Sequence, residues 1–296
     1  MARGVRVIES EAGATARKPM ATTGAGLEGI IATTSKICYI DGERGILSYF
    51  GYNIHVLAED ATFEEVIYLL WNGVLPTRSE LAQLKAELAA ERELPEGVIA
   101  LLRHVPKGTA PMDVLRTAIS MLSFYDPLVR DNSPEANQKK AVKLMARVAT
   151  IVTTFNSLRN GKPIVAGDPN LGFAANFLYT LNGRKPDEVM ERAFDIALIL
   201  HADHELNAST FAARVTAATL SDMYSAVTSA VGALKGPLHG GANESVIQFL
   251  LDTSSAEEAG QRVRDDLNNK VRVSGFGHRV YRVLDPRAIH LKKISE

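Results

Sequence analysis

Three histidine motifs are concentrated between residues 201 and 287, and bulk composition does not account for them. They are His201–Asn207, Gly236–Glu244 and Gly275–Tyr281, followed closely by Asp285–Arg287. The chain has seven histidines, and four of them lie in these motifs. A neutral imidazole donates and accepts protons near neutral pH, and flanking glycines let the backbone approach a ligand closely. The stretch is therefore a candidate active site.

The first motif places His201, His204 and Asn207 three residues apart, which on a helix end would project them to one side. Three interpretations are open: a metal site, structural histidines held by hydrogen bonds, and a substrate site. The metal interpretation lacks support from a cysteine cluster or a His-Glu-x-x-His motif. Polar clusters of this kind often mark binding sites, which favours substrate binding.

In the second motif, Pro237 is expected to end one helix and Gly240-Gly241 to open the next, with His239 in the turn between them. A helix N-terminus disfavours a positive charge, so His239 should be neutral there. It could then donate a hydrogen bond to an oxyanion that forms during a reaction. The alternative is a turn histidine without a role.

The third motif does not fit a dinucleotide fingerprint, because Gly275-Phe276-Gly277 lacks a third glycine and a βαβ frame. A loop whose backbone lies against a flat ligand group fits better, with His278 reaching the reacting atom. The guanidinium of Arg287 offers two parallel donors, the geometry that binds a carboxylate.

Composition excludes several classes of function. A formal net charge of -1 over 296 residues leaves no basic surplus for nucleic acid. No apolar run approaches the roughly 20 residues that span a bilayer. The N-terminal segment lacks the apolar core of a signal peptide, and Glu9 and Glu11 argue against a mitochondrial presequence. The single cysteine, Cys38, fits a reducing compartment, so a cytoplasmic location is predicted.

The elements that must position these motifs are predicted to be helical almost throughout. Thr62 with Glu65 and Thr77 with Glu80 have the spacing of capping boxes, and Ser133-Pro134 is typical of a helix start. Periodicity predicts helices over 188–200, buried on most sides, and from Ser221 or Asp222 to Leu234. One β-hairpin is predicted, with strands 36–40 and 45–49 around Asp41-Gly42.

The three motifs resemble those of the citrate synthase family. The resemblance also covers Tyr39–Gly45, Phe63–Val66, Gly73–Pro76 and Pro111–Arg116, and so nearly everything after about residue 27. It implies a mainly α, multi-helical two-domain fold with the small N-terminal hairpin. The expected division is a mobile tail over 1–26, a large helical domain over 27–240 and the first part of a small domain over 241–296. It also implies a homodimer or higher homo-oligomer.

The family condenses acetyl-CoA with oxaloacetate and hydrolyses citryl-CoA to citrate and CoA, without a metal or a resident cofactor. The resemblance implies that His204 and Arg287 bind the oxaloacetate carboxylates. It implies that His239 stabilises the enol of acetyl-CoA and that His278 polarises or protonates the oxaloacetate carbonyl. The CoA-binding residues that it implies are Gly275, Phe276, Gly277 and Arg282.

The sequence departs from the family pattern in one respect. The family's catalytic aspartate, which removes a proton from the acetyl methyl group, lies well downstream of Asp-Pro-Arg, and this chain stops nine residues after Arg287. The later arginines that clamp substrate carboxylates have no counterpart either. The chain as given is therefore expected to be an inactive or impaired fragment of a citrate synthase-type enzyme.

Three alternatives are kept. The first is 2-methylcitrate synthase, which takes propionyl-CoA; one methylene in an acyl pocket is worth only about 1–3 kcal/mol, and nothing in the sequence discriminates it. The second is a non-catalytic helical protein that binds oxaloacetate or a partner. The third, more distant, is a metal hydrolase that uses His201 and His204.

Overall fold

The structure is a computed structural model that describes residues 34–296 apart from residues 272, 274, 276 and 279 and the side chain of residue 242. The predicted tail over 1–26 and Phe276 lie outside the described residues. The rest confirms the predicted fold class, since the architecture is mainly helical with a small sheet near the N-terminus.

The predicted hairpin is present and carries a third strand that the sequence analysis missed. Strands β1 (Cys38–Asp41), β2 (Ile46–Tyr49) and β3 (Tyr52–Asn53) form an antiparallel sheet in that order. The Asp41 carboxylate accepts the backbone N–H groups of Glu43 and Arg44 and so fixes the turn. Leu47 and Tyr49 of β2 are fully buried, which makes the central strand part of the main core.

The helices follow one another with short connections. Their bounds are α1 Ile54–Asp60, α2 Phe63–Asn72, α3 Arg78–Ala90, α4 Glu96–Arg103, α5 Pro111–Leu122, α6 Pro134–Arg159, α7 Phe173–Asn182, α8 Glu188–Leu200, α9 Ala208–Ala218, α10 Met223–Leu234, α11 Gly241–Leu251, α12 Ala256–Asn268 and α13 Pro286–Ser295, with a 3₁₀ turn at Ser123–Tyr125.

The helix starts are set by the residues that the sequence singled out. Thr62 and Thr77 each form both hydrogen bonds of a capping box, with Glu65 and Glu80. Ser133 caps α6, whose first residue is a proline, and Asp222 caps α10. Each of these caps satisfies backbone N–H groups that a helix leaves without an internal partner.

Two apolar clusters form the core, and the long helix α6 contributes to both. Val142 and Ala146 of α6 pack with the hairpin, α1, α2 and the end of α8. Leu144, Ile151 and Phe155 lie on its other faces and pack with α4, α5 and α10. Because α6 is shared, the sheet and α8 on one side are fixed relative to α5 and α10 on the other.

The expectation that α8 is buried on most sides is wrong for its first turn. Val189 is 78% exposed and Met190 41% exposed, whereas Ile199 and Leu200 at the other end are fully buried. The C-terminal end of the helix enters the core against α1 and α2, and its middle packs against α7, where Phe194 stacks on Phe177. The apolar residues in the first turn of α8 therefore follow the helical spacing but are not buried.

The final helix α13 packs against α1 and α8, where Leu291 joins the first apolar cluster. Between α10 and α13 the packing is sparser: in α12, which the structure describes throughout, no side chain is fully buried. Within the described part of the chain, no helix is long and apolar enough to cross a membrane. The predicted division at residue 240 stays a prediction.

Candidate active site

His204 lies in the loop between α8 and α9, and the predicted helical arrangement of the first motif is wrong. His201 is the C-cap of α8 and its ring nitrogen Nδ1 lies 2.7 Å from the Ala197 carbonyl oxygen. Asn207 is the N-cap of α9, where its side chain accepts the Thr210 N–H. The two flanking polar residues thus terminate helices, and His204 between them is free to take part in the site.

The hairpin holds the loop that carries His204. The hydroxyl of Tyr49 lies 3.1 Å from the Ile199 carbonyl oxygen and 3.0 Å from that of Asp203, and it accepts the Asp203 N–H at 3.3 Å. Tyr49 is fully buried, and burial raises the pKa of its phenol well above the ordinary value. A protonated buried hydroxyl with these partners fixes the backbone next to His204.

His278 lies in a second loop, after two glycines whose backbone conformations favour glycine. The φ angles of Gly275 and Gly277 are +91° and +79°, a region that side chains with a Cβ rarely adopt. The ring nitrogen Nδ1 of His278 accepts the backbone N–H groups of Val280 and Tyr281 at 3.0 and 3.1 Å. An accepting Nδ1 places the proton of the neutral ring on Nε2, which makes His278 a hydrogen-bond donor.

The hairpin turn also braces this second loop. The backbone N–H of Arg282 donates to the Gly42 carbonyl oxygen at 2.8 Å. A Cβ at Gly42 would stand 2.2 Å from the Val280 carbonyl oxygen, so only glycine permits this approach. The turn between β1 and β2 therefore touches the residues that follow His278, while β2 holds the loop of His204.

Arg287 lies in the first turn of α13 and is fixed by its neighbour Asp285. Its Nε donates to Asp285 Oδ1 at 3.0 Å and its Nη2 to Oδ2 at 2.7 Å. Burial acts to raise the pKa of Asp285, but the hydrogen bonds and charge of Arg287 outweigh it and keep that pKa below the ordinary value. The pair uses one edge of the guanidinium, and the Nη1 edge still has donors for a ligand carboxylate.

The structure brings His204, His278 and Arg287 together around Tyr281. The rings of His204 and His278 are 5.5 Å apart, and the ring of Tyr281 lies 5.6 Å from the first and 4.7 Å from the second. Nε2 of His278 lies 3.7 Å from Asp285 Oδ2. Residues far apart in the chain thus form one cluster of two imidazoles, a phenol and a held guanidinium.

Both histidines of the cluster are held neutral at pH 7. Burial, then the positive charge of Arg287 and the neighbouring His278, lower the pKa of His204 to about 4. Burial also lowers the pKa of His278, although the carboxylate of Asp285 acts in the opposite direction. Neutral rings can donate one N–H each to an anionic or carbonyl ligand without a change of protonation.

His239 lies in the turn before α11, as predicted, with Gly240 as the N-cap of that helix. Its Nε2 lies 2.7 Å from the hydroxyl oxygen of Ser209 in α9, which leaves the other ring nitrogen for a ligand. Among the contacts of the described residues, none joins His239 to His204 or His278 directly. This histidine therefore belongs to a separate part of the site.

Sequence reasoning missed three side chains that organise the site. They are Tyr49, Ser209 and Tyr281, which contact the histidine loops through hydrogen bonds. Of these, Tyr281 alone carried a signal, since it follows His278 within the same motif. Gly275, Gly277 and Arg282 are placed beside His278 as expected for one loop, and Arg282 is exposed.

The metal interpretation of the first motif gains no support. In the part of the chain that the structure describes, no three His, Cys, Asp or Glu side chains come together as metal ligands. His201 turns back to its own helix, so it does not form a pair with His204.

Comparison with known proteins identifies the family. The family described as citrate synthase, C-terminal domain, matches residues 26–296. The chain belongs to the citrate synthase family.

Two relatives in that family carry different names. Citrate synthase 2 of Bacillus subtilis is 50% identical over 272 residues, covering 92% of this chain and 73% of that protein. A 2-methylcitrate synthase of Mycobacterium tuberculosis is 42% identical over 271 residues, covering 92% of this chain and 68% of that protein.

A solved structure shares the fold as well. The citrate synthase of Thermoplasma acidophilum, in a ternary complex with carboxymethyl coenzyme A and oxaloacetate, superimposes with a TM-score of 0.83 at 34% identity. The match covers 89% of this chain and 70% of that one. At this identity and score, the likeness covers the overall arrangement of the helices.

Proposed function

We propose that this chain carries out the chemistry of a citrate synthase, the condensation of acetyl-CoA with oxaloacetate to give citrate and CoA. The observation that carries the proposal is the convergence of His204, His278 and Arg287. These three come from two loops and the first turn of α13, and their side chains lie in one cluster in which each can supply a hydrogen-bond donor. Oxaloacetate has two carboxylates and a ketone, which match one cationic donor and two neutral ones.

The oxaloacetate side of the proposed mechanism uses the neutral state of the histidines. Arg287 would pair with one carboxylate through its Nη1 edge, since Asp285 occupies the other edge. His278 would donate its Nε2–H to the ketone oxygen and polarise the carbonyl, because its Nδ1 already accepts two backbone N–H groups. His204 would bind the carboxylate end. Fixed donors of this kind stabilise the alkoxide as it forms.

The acetyl-CoA side is assigned to His239 and to the loop before His278. His239 stands at the N-terminus of α11 with one ring nitrogen beside Ser209, and the other would donate to the enol oxygen. Gly275, Phe276, Gly277 and Arg282 would contact CoA. Gly275 lies against Val246 of α11, so a CoA held here would be close to the helix that follows His239.

Oxaloacetate binding tests the proposal without any need for turnover. Arg287→Ala should weaken oxaloacetate binding about tenfold or more in calorimetric titration, because a charged bidentate contact is worth about 1.5–3 kcal/mol. Arg282→Ala is the matched control: it removes an arginine from the same region and should weaken CoA binding alone. Equal oxaloacetate affinity of the wild type and Arg287→Ala would refute the assignment.

Thiol release from acetyl-CoA in the presence of oxaloacetate tests the reaction itself. Under the proposal, thiol release should require oxaloacetate as well as acetyl-CoA. General-base catalysis typically supplies about a hundred- to ten-thousandfold, and Asp285 is not the expected base because Arg287 engages its carboxylate. A rate typical of an enzyme would mean that a carboxylate within these residues serves as the base.

The second candidate is the 2-methylcitrate reaction, and the similarity to the Mycobacterium tuberculosis enzyme favours keeping it. Comparing acetyl-CoA with propionyl-CoA in the same assay separates the two. Oxaloacetate binding without thiol release from either acyl-CoA would favour the non-catalytic alternative.

The proposal also includes a homodimer, which light scattering tests, and a cytoplasmic location.

A further inference from the structure

Tyr281 is a buried aromatic side chain at the centre of the histidine cluster, and the reaction described above gives it no role. It is 4% exposed, and its ring contacts the rings of both His204 and His278. It also contributes a backbone N–H to one histidine and a hydroxyl to the other. One residue thus reaches a hydrogen-bonding nitrogen of each imidazole.

The contact with His204 sets the position of the proton on that ring. The Tyr281 hydroxyl oxygen lies 3.2 Å from His204 Nε2. Burial, then the carboxylate of Asp285, raises the pKa of Tyr281 to about 12, so the phenol keeps its proton. A neutral imidazole has a lone pair on only one of its two nitrogens. Because the phenol donates its proton to Nε2, the lone pair of His204 is on Nε2. The ring proton is then on Nδ1.

The contact with His278 places the ring proton of that histidine on the other nitrogen, Nε2. The backbone N–H of Tyr281 donates to His278 Nδ1 at 3.1 Å, and the Tyr281 ring packs at 4.7 Å against the imidazole. The proton of His278 is therefore on Nε2, facing the space beside Asp285. The Gly42 turn holds the backbone on both sides of Tyr281 through Val280 and Arg282, so this geometry is fixed.

We propose that Tyr281 is a positioning residue that assigns opposite tautomers to His204 and His278 and holds both rings in orientation for oxaloacetate. The proposal rests on the proposed function for the identity of the ligand. It acts through the histidines and does not require Tyr281 to touch the substrate. In metal sites and catalytic triads, a hydrogen bond from a neighbouring group to one nitrogen of an imidazole fixes its tautomer in the same way.

The test removes only the hydroxyl. In Tyr281→Phe the ring still fills its buried place, while His204 Nε2 loses its donor. Two-bond ¹H–¹⁵N correlation spectra at pH 7 should show His204 protonated on Nδ1 in the wild type and as a mixture of tautomers in the variant. Oxaloacetate affinity should fall about two- to tenfold, the usual effect of losing one hydrogen bond. His278 should keep its Nε2 proton, because the backbone donors are unchanged.

The matched control is Tyr224→Phe. Tyr224 is also buried, and its hydroxyl donates to Asp126 at 2.6 Å, among residues outside the histidine cluster. That variant should lose stability without any change in the His204 tautomer.

An unchanged His204 spectrum in Tyr281→Phe, or a wild-type His204 protonated on Nε2, overturns the proposal. If the wild type fails to bind oxaloacetate, the proposed function fails, whereas the spectra of the ligand-free protein still decide the role of Tyr281.

Discussion

The two parts of the site are held by the fold in different ways. The loops of His204 and His278 both contact the N-terminal hairpin, the first through Tyr49 and the second through Gly42. The turn of His239 instead connects α10 to α11, and the hydrogen bond of its ring goes to Ser209 in α9. In α9, which is described throughout, no side chain is fully buried, whereas Tyr49 is completely buried.

This difference in burial indicates which part of the site is preorganised. Buried hydrogen bonds and close backbone contacts hold the loops of His204 and His278 in place without a ligand. Segments with few buried side chains open at lower free energy, so the side of His239 is free to adjust. Under the proposed function, the rigid part receives oxaloacetate and the adjustable part handles the acyl-CoA.

The largest expected effect comes from His239. In material with measurable thiol release, His239→Ala should lower turnover about a hundred- to thousandfold, the usual loss for one hydrogen-bond donor to an oxyanion. Oxaloacetate affinity, measured by calorimetry, should stay at the wild-type value, because His239 has no contact with His204 or His278 among the described residues.

His201→Ala is the control, since His201 belongs to the same set of motifs but bonds back to its own helix. It should change neither turnover nor oxaloacetate affinity. Loss of oxaloacetate binding in His239→Ala would contradict the division of the site into two independent parts.

The second prediction tests the brace between the hairpin and the His278 loop. Gly42→Ala places a methyl carbon 2.2 Å from the Val280 carbonyl oxygen, so the backbone has to shift. Overpacking of this kind costs about 1–3 kcal/mol, and the displaced loop should weaken oxaloacetate binding as well. Urea unfolding and calorimetry measure the two effects.

Gly260→Ala adds the same methyl group to α12, where the nearest atom is 3.5 Å away on the flexible Arg264 side chain. It should be neutral or stabilising by up to about 1 kcal/mol, because alanine favours a helix over glycine. Wild-type stability of Gly42→Ala would mean that the turn does not brace the loop.

The smallest predicted effect concerns pH and the docking of α13, which carries Arg287. His55 Nδ1 in α1 and His290 Nε2 in α13 lie 2.7 Å apart, and His290 is 7% exposed. Burial, then the neighbouring His55 and Lys293, lower the pKa of His290, while Glu59 acts in the opposite direction. An unfolded histidine titrates near 6.5, so the contribution of His290 is fully present above that pH and is lost as the pH falls below it.

His290→Gln should therefore reduce the loss of stability between pH 7 and pH 5.5, by at most about 1 kcal/mol, measured by urea unfolding. Asp195, whose pKa burial raises to about 6, gains stability over part of the same range, but it is unchanged in the variant and cancels in the difference. His104→Gln, at an exposed histidine, should leave the pH dependence as it is. Equal pH profiles for the wild type and His290→Gln would contradict the prediction.

The fold was predictable where local chemistry decides it. Capping boxes at Thr62 and Thr77, the Ser133-Pro134 start and the cap at Asp222 all depend on neighbouring residues, and all are confirmed. Val189 shows the limit, because an apolar residue at helical spacing is buried only if another element covers it. His204 shows a second limit, since spacing of three suggested a helix where two caps enclose a loop.

The candidate site was predictable as a set of residues but not as an arrangement. His204, His278 and Arg287 converge as the resemblance implies, whereas the contacts of Tyr49 and Gly42 join residues more than a hundred positions apart. No local pattern encodes such pairs, because they depend on how separate elements pack. The structure alone therefore identifies the hairpin as the part that joins the two histidine loops.

The long reach of these contacts has a consequence for how the protein folds. Tyr49 bonds to a residue 150 positions later, and His55 to one 235 positions later. Contacts of such high sequence separation are slow to form, because a large loop must close before they add any stability. During synthesis the hairpin and α1 emerge well before α13, which packs against α1. The binding geometry around Arg287 should accordingly be among the last features to appear in refolding, after the helices of the second core have already formed.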